Sequence, residues 1–293
     1  MKLFFIKVFK KIEVYLSWLI CLLRVLNGVV FKSYSNKVIY LSFFHEVKNI
    51  GDLLNIDIIQ FYSKKKVVNV PPFFIFKHYL VIGSILQNMN RNSVVIGSGL
   101  IHDSKINKMQ QVGDIRAVRG HLTKKCIEDL VGKNLEIPLG DPALLFPKIY
   151  NPKIDVIYEF GLILHYVDEG HGIKSIVENM GGKIISARQN PEEFVSEMKA
   201  CKKILASSMH GLILSDAYNI PNKRLILGDK IYGGDFKFKD YYSTTDSPDE
   251  KGCIVSESVS AQEVIELLLT CSVKKYVGDL GLLENKLLEL RKV

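Results

Sequence analysis

From Lys37 onward, short apolar runs recur along the chain. Each closes on a small or polar turn, and most lead into a helix-like stretch. Residues 38–43, 79–83, 94–97 and 115–118 form a first set, and residues 156–166, 183–186, 203–206 and 223–227 a second. Helices are expected near 50–63, 123–131, 170–180 and 191–201, after His210, and at 262–269 and 280–290. Alternation of this kind builds a parallel sheet with helices on its faces. Residues 148–155 contain Pro152, show little periodicity and read as a linker. The expected fold class is α/β, with two Rossmann-like parallel-sheet domains, 37–150 and 151–293, facing a cleft. In such sheets ligands lie beyond the carboxyl ends of the strands.

Residues 1–36 break the pattern. They are strongly apolar and hold most of the charge excess. Through Lys37 the arm carries seven basic residues against Glu13 alone, so it accounts for +6 of the formal net charge of +8. The basic balance is therefore that of an arm and not of a nucleic-acid groove. Lys7, Lys10, Ser17, Arg24 and Gly28 recur at helical spacing opposite a broad apolar face that includes Leu16, Leu19 and Leu23. This is the pattern of an amphipathic helix lying in a membrane interface, where basic residues meet anionic lipid. A helix docked on protein is a second reading. A true span, which needs ~20 apolar residues, is a third that Arg24 opposes. Five cysteines, widely spaced, form no metal or redox pair and fit a reducing cytoplasm.

Polar groups collect where the apolar runs end: Asp52, Asn55, Ser98, Arg119, Asp141, His165, Asp168, Ser207, Ser208 and His210. The most informative turn is Ser207-Ser-Met-His-Gly211, after the run at 203–206. A helix start presents unpaired N–H groups and the positive end of the helix dipole, so it favours an anion, and His210 beside it can move a proton. Arg119 offers a planar fork to a carboxylate or phosphate. In residues 233–243, Lys237 and Lys239 alternate with aromatics, as an edge strand or as a loop that anchors Phe236 and Phe238 and lets Lys237 reach a cleft. Gly97-Ser-Gly99 lacks the third glycine of a dinucleotide fingerprint. No histidine pair has metal spacing, so no metal is expected.

These residues resemble the polysaccharide pyruvyl transferases. The pieces stand in the family order: NIGDLLN at 49–55, IGSGLI at 96–101, VRGHLTKK at 118–125, LGDPALLFP at 139–147, GLILHYVD at 161–168, SSMHGLILSDAYNIPN at 207–222 and GGDFKFKDYYS at 233–243. The resemblance implies a glycosyltransferase-B-like pair of domains. It also implies transfer of pyruvate from phosphoenolpyruvate onto two hydroxyls of a sugar, as a cyclic ketal with release of phosphate and no other cofactor. Its donor contacts map onto Arg119 and the Ser208-Met209-His210 turn, with Ser207 and Gly211 adjoining. Many members have Arg-Leu-His where this chain has Ser208-Met209-His210, and Lys237 is expected to supply the missing charge. His210 is the expected general acid and Asp52 the expected base. Asn55, Ser98, Asp141, His165, Asp168 and Lys239 are expected in the cleft or at the acceptor. The acceptor is expected to be a lipid-linked sugar at the inner face of the plasma membrane, with residues 1–34 holding the enzyme to anionic lipid. A sugar-nucleotide-dependent glycosyltransferase of the same shape, or a non-catalytic component of a polysaccharide assembly complex, are the competing readings.

Overall fold

The computed structural model describes residues 37–292, apart from 110 and 230, together with Leu19. The expected amphipathic helix at 1–36 otherwise lies outside the described residues.

Among the described residues ten strands form two five-stranded sheets in which every strand pair is parallel. The first holds β1 (Val38–Leu41), β2 (Lys66–Asn69), β3 (His78–Leu80), β4 (Ser93–Ile96) and β5 (Asp114–Ala117), in the order β2-β1-β3-β4-β5. The second holds β6 (Gly161–Leu164), β7 (Lys183–Ser186), β8 (Ile204–Ala206), β9 (Asn222–Ile226) and β10 (Cys253–Ile254), in the order β10-β9-β8-β6-β7. Counted within each half, both orders are 2-1-3-4-5, a doubly wound arrangement. The central strands β3, β4, β6 and β8 are buried throughout. They read as continuous apolar runs because helices or loops cover both faces of a parallel sheet. The edge strands β2 and β10, short and half-exposed, carry no comparable signal and were not among the expected strands. The run expected at 156–166 narrows to Gly161–Leu164, since residues 153–157 are exposed and Tyr158 makes only an isolated bridge to Cys201.

Helix α1 (Ile50–Ser63) starts at Asn49, whose side chain accepts from the Gly51 N–H at 3.4 Å. Ile50, Leu54, Ile58, Ile59 and Tyr62 recur at helical spacing and are buried against the sheet. Full burial of each such apolar side chain is worth ~1.5–3 kcal/mol. Helix α2 (His121–Val131) follows β5, and helices α3 (Ile173–Asn179) and α4 (Pro191–Lys199) flank β7. Helix α5 (Met209–Ala217) is buried through Asp216, which is why its sequence is apolar nearly all round. Residues 236–242, whose alternation suggested a strand or loop, form helix α6 (Phe236–Tyr242). Helices α7 (Ala261–Leu269) and α8 (Leu280–Leu288) close the chain. Helix α8 returns to the first sheet and packs on α1, where Tyr62 Oη donates to Glu284 Oε1 at 2.9 Å and Leu283 and Leu287 are buried.

A candidate active site between the two switch points

In a doubly wound sheet the chain diverges at its switch point, leaving a crevice at the carboxyl ends of two neighbouring strands. Here those points lie between β1 and β3 and between β6 and β8. Both open on one cavity of about 410 Å³. Its walls are residues 42–46 after β1, residues 83–85 after β3, His165–Val167 after β6, and Ser208–His210 after β8, joined by Asn49 and Asp52 of the α1 start and by Lys237 of α6.

His210 sits in the first turn of α5 and is 9% exposed. A Cβ built on Gly51 would lie 2.0 Å from its Nδ1, so only glycine lets the start of α1 approach the imidazole this closely. Asp52, the next residue, is partly buried. Burial pushes its carboxyl up to about 7, opposed by the nearby His210 and by hydrogen bonds from Asn49 and the backbone of Phe44. His165 is pushed down to about 4, first by burial and then by the positive fields of Lys237 and His210. It is therefore neutral at ordinary pH, and its ring lies 4.3 Å from that of Tyr166.

Lys237 is 7% exposed and lines the cavity. Burial, with Arg119 and Arg224 nearby, lowers its ammonium to about 8, while Asp168 acts in the opposite direction. Ser208 takes the N-cap position of α5, but its hydroxyl makes no capping bond. The helix start, Lys237 and His210 thus present N–H donors, a cation and a proton carrier to one space, the chemistry an anion requires.

The other expected residues lie behind this surface. Arg119 is fully buried: Nε donates to Asp240 Oδ2 at 2.9 Å, Nη1 to Ser84 Oγ at 2.6 Å and Nη2 to the Leu100 carbonyl at 2.8 Å. Arg119 is not among the residues that line the cavity, and it reaches the lining through Ser84. Asn55 bonds both backbone groups of Ile82, tying α1 to the end of β3. Ser98 donates to the Gly83 carbonyl, and Ser207 Oγ accepts from the His165 N–H. Gly211 lets α5 approach Ile163 of β6. Asp141 is buried beside His210, and Asp168 is buried with one oxygen unpartnered. Lys239, expected in the cleft, is exposed away from it, because residues two apart on a helix point to different faces.

Sequence reasoning missed Ser84, Phe44, Tyr166 and Tyr232, all of which line the cavity. Ser84 carried a signal: Gly83-Ser84 and Gly97-Ser98 are the same dipeptide after adjacent strands. Only the first follows a switch-point strand, so only the first faces the cavity. Among the described residues no group of three His, Cys, Asp or Glu could hold a metal ion.

The fold and site together define an α/β protein with two doubly wound sheets and an anion-suited acid–base cavity between their switch points. The chain belongs to the polysaccharide pyruvyl transferase family, whose model matches residues 39–222. An uncharacterised protein of Acanthamoeba polyphaga mimivirus is 30% identical over 215 residues, 71% of this chain and 74% of that protein. The succinoglycan biosynthesis protein ExoV of Rhizobium meliloti is 26% identical over 199 residues, 67% of this chain and 61% of its own length. A crystal structure of an uncharacterised Klebsiella pneumoniae protein aligns with 79% of this chain and 98% of its own, at 14% identity and a TM-score of 0.44. The family match spans Asp52, Asp141, His165, Ser208 and His210, and ends before Lys237.

Proposed function

We propose that this protein transfers a pyruvyl group from phosphoenolpyruvate to a sugar of a surface polysaccharide, forming a cyclic ketal and releasing phosphate. The observation that carries this reading is the convergence of His210, Lys237 and the α5 start on one cavity between both switch points. Phosphoenolpyruvate brings a carboxylate and a phosphate. Lys237 and the α5 N–H groups meet that charge, and Lys237 takes the place of the family arginine absent at Ser208. Arg119 adds positive potential from behind and fixes Ser84.

His210 gives its proton to the methylene carbon of the donor, leaving C2 open to attack. One sugar hydroxyl bonds to C2 while its proton passes to Asp52. The second hydroxyl then replaces phosphate at C2 and gives its proton to the His210 imidazole, which closes the ketal and restores the acid. Phe44, Tyr166 and Tyr232 provide apolar faces on which a sugar ring can stack. The two sheets, in this reading, face each other as in a glycosyltransferase-B fold, and no cofactor is used beyond the donor substrate. The acceptor is lipid-linked, and residues 1–34 hold the protein at the inner face of the plasma membrane. Support for that placement is the charge and apolar pattern of the arm. Among the described residues no helix is long and apolar enough to cross a membrane.

The test is phosphate release from phosphoenolpyruvate across a panel of lipid-linked and aryl glycosides. Turnover is expected with at least one acceptor, and His210→Ala should fold yet lose about 10²–10⁴ in rate. Release of a nucleoside diphosphate from a sugar nucleotide, with none of phosphate from phosphoenolpyruvate, would overturn the reading.

A further inference from the structure

Two buried polar atoms of this protein have no hydrogen-bond partner and face each other. One is Nε2 of His210, and the other is Oδ2 of Asp141, 3.7 Å away. The Asp141 side chain is completely shielded from solvent, and it does not line the cavity. Its other oxygen, Oδ1, accepts from the Ala143 N–H at 3.0 Å and caps the turn Pro142–Lys148. Capping needs one oxygen and explains the presence of Asp141 only by half. A carboxylate oxygen sealed from water without a donor is costly, so a donor is to be looked for nearby. A protonated Nε2 of His210, 3.7 Å away and itself without a partner, answers that need.

We propose that Asp141 is a positioning residue for His210. It fixes the proton of the imidazole on Nε2, so that Nδ1 is the nitrogen that exchanges a proton with the substrate. The separation is longer than a hydrogen bond, as catalytic contacts often are before substrate closes the site. Three observations agree on the direction. Nε2 is shielded from solvent and faces Asp141 Oδ2. Gly51 packs against the Nδ1 edge of the ring and holds it next to Asp52. Asp52 itself lines the cavity and bonds to Asn49, which places it toward substrate and leaves the orienting role to Asp141.

The charged and titratable groups around His210 are then Asp141 behind it, Asp52 on the α1 side, and His165 across the cavity with Lys237 beyond. When Nδ1 of the imidazolium gives its proton to substrate, the N–H bond at Nδ1 breaks and a C–H bond forms at the methylene carbon. The proton on Nε2 stays beside Asp141 and the ring is left as the neutral Nε2–H tautomer; the imidazolium is restored when Nδ1 is protonated again. The inference rests on the pyruvyl-transfer reading for what receives the proton. It does not rest on that reading for which nitrogen gives it.

The experiment is nitrogen-15 NMR of the histidine side chains in the full chain, with the His210 signal assigned by its loss in His210→Gln. At a pH high enough to leave the imidazole neutral, the wild-type protein is expected to show the Nε2–H tautomer of His210. A predominant Nδ1–H form, or an even mixture, overturns the proposal. In parallel, Asp141→Asn keeps an oxygen for the Ala143 N–H. It is expected to lower kcat by about 10²–10⁴ while the KM for donor stays the same and the Nε2–H preference is lost. A folded Asp141→Asn protein with wild-type kcat and tautomer overturns it as well. Should that variant fail to fold, the wild-type tautomer decides alone. An Nε2–H tautomer in a protein that turns over no phosphoenolpyruvate would leave the positioning role standing and remove the proposed function instead.

Discussion

At the residue scale, the site sets a narrow pH window. In the proposed reaction Asp52 acts as base only when ionised, and burial raises its carboxyl to about 7. In the same proposal Lys237 holds the donor anion only when protonated, and burial with neighbouring arginines lowers its ammonium to about 8. As pH rises, kcat/KM is therefore expected to climb through about 7 and fall beyond about 8. Arginine stays charged at any such pH, so Lys237→Arg should extend the alkaline limb upward while leaving the acid limb in place. The kcat/KM profile of both proteins measures this, and an unmoved alkaline limb would remove Lys237 from the donor site. His210 and Ser208 were legible in the sequence because a strand, a polar turn and a helix start follow one another within a few residues. Asp52 was legible by position alone, and its raised carboxyl was not. That shift comes from the burial of the α1 start, which requires parts of the chain 150 residues apart.

At the element scale, α6 shows how a short pattern misleads. Phe236 to Lys239 alternates apolar and basic, as an edge strand would. As a helix, Lys237, Asp240 and Tyr241 share a face through their three- and four-residue spacing, and all three are buried. What selects the helix is tertiary. Gly120, the N-cap of α2, has no side chain to offer, and Asp240 does the capping from α6 by accepting from the Thr123 N–H and Oγ1 at 2.8 and 2.7 Å. A Cβ on Gly120 would lie 1.9 Å from the Asp240 carbonyl, so the missing side chain is what allows the approach. Asp240 also holds Arg119, with neither side chain exposed. Removing one partner of such a pair strands the other charge. Asp240→Ala is expected to destabilise the fold by ~3–5 kcal/mol, read from urea unfolding. A loss below ~1 kcal/mol, the range of exposed pairs, would mean that the pair is not a structural clamp. The fork of Arg119 that the sequence offered to substrate is occupied by this clamp.

At the scale of the whole molecule, the two halves repeat a strand order without repeating a sequence, and α8 crosses back to pack on α1 of the first half. The halves also meet where Gly51 of α1 packs against His210 of α5. Gly51→Ala should shift the imidazole, and a misplacement of about 1 Å can cost about 10²-fold in rate. Alanine also favours a helix over glycine by up to ~1 kcal/mol, so activity is expected to fall far more than stability. Steady-state kinetics beside thermal melting would show it, and full activity would mean that His210 is not held by this contact. The sequence alone determined the class of fold, the central strands and the family. Those depend on apolar period, turn residues and short motifs, which act within a few residues of one another. Only the tertiary structure decided which strand ends face the cavity, because that depends on sheet order and not on the strand itself. It alone turned Lys239 outward from the face that carries Lys237, committed Arg119 to Asp240, and brought Asp141 behind His210. Burial and the fields of distant charges are made by packing, and no local pattern in the chain encodes them.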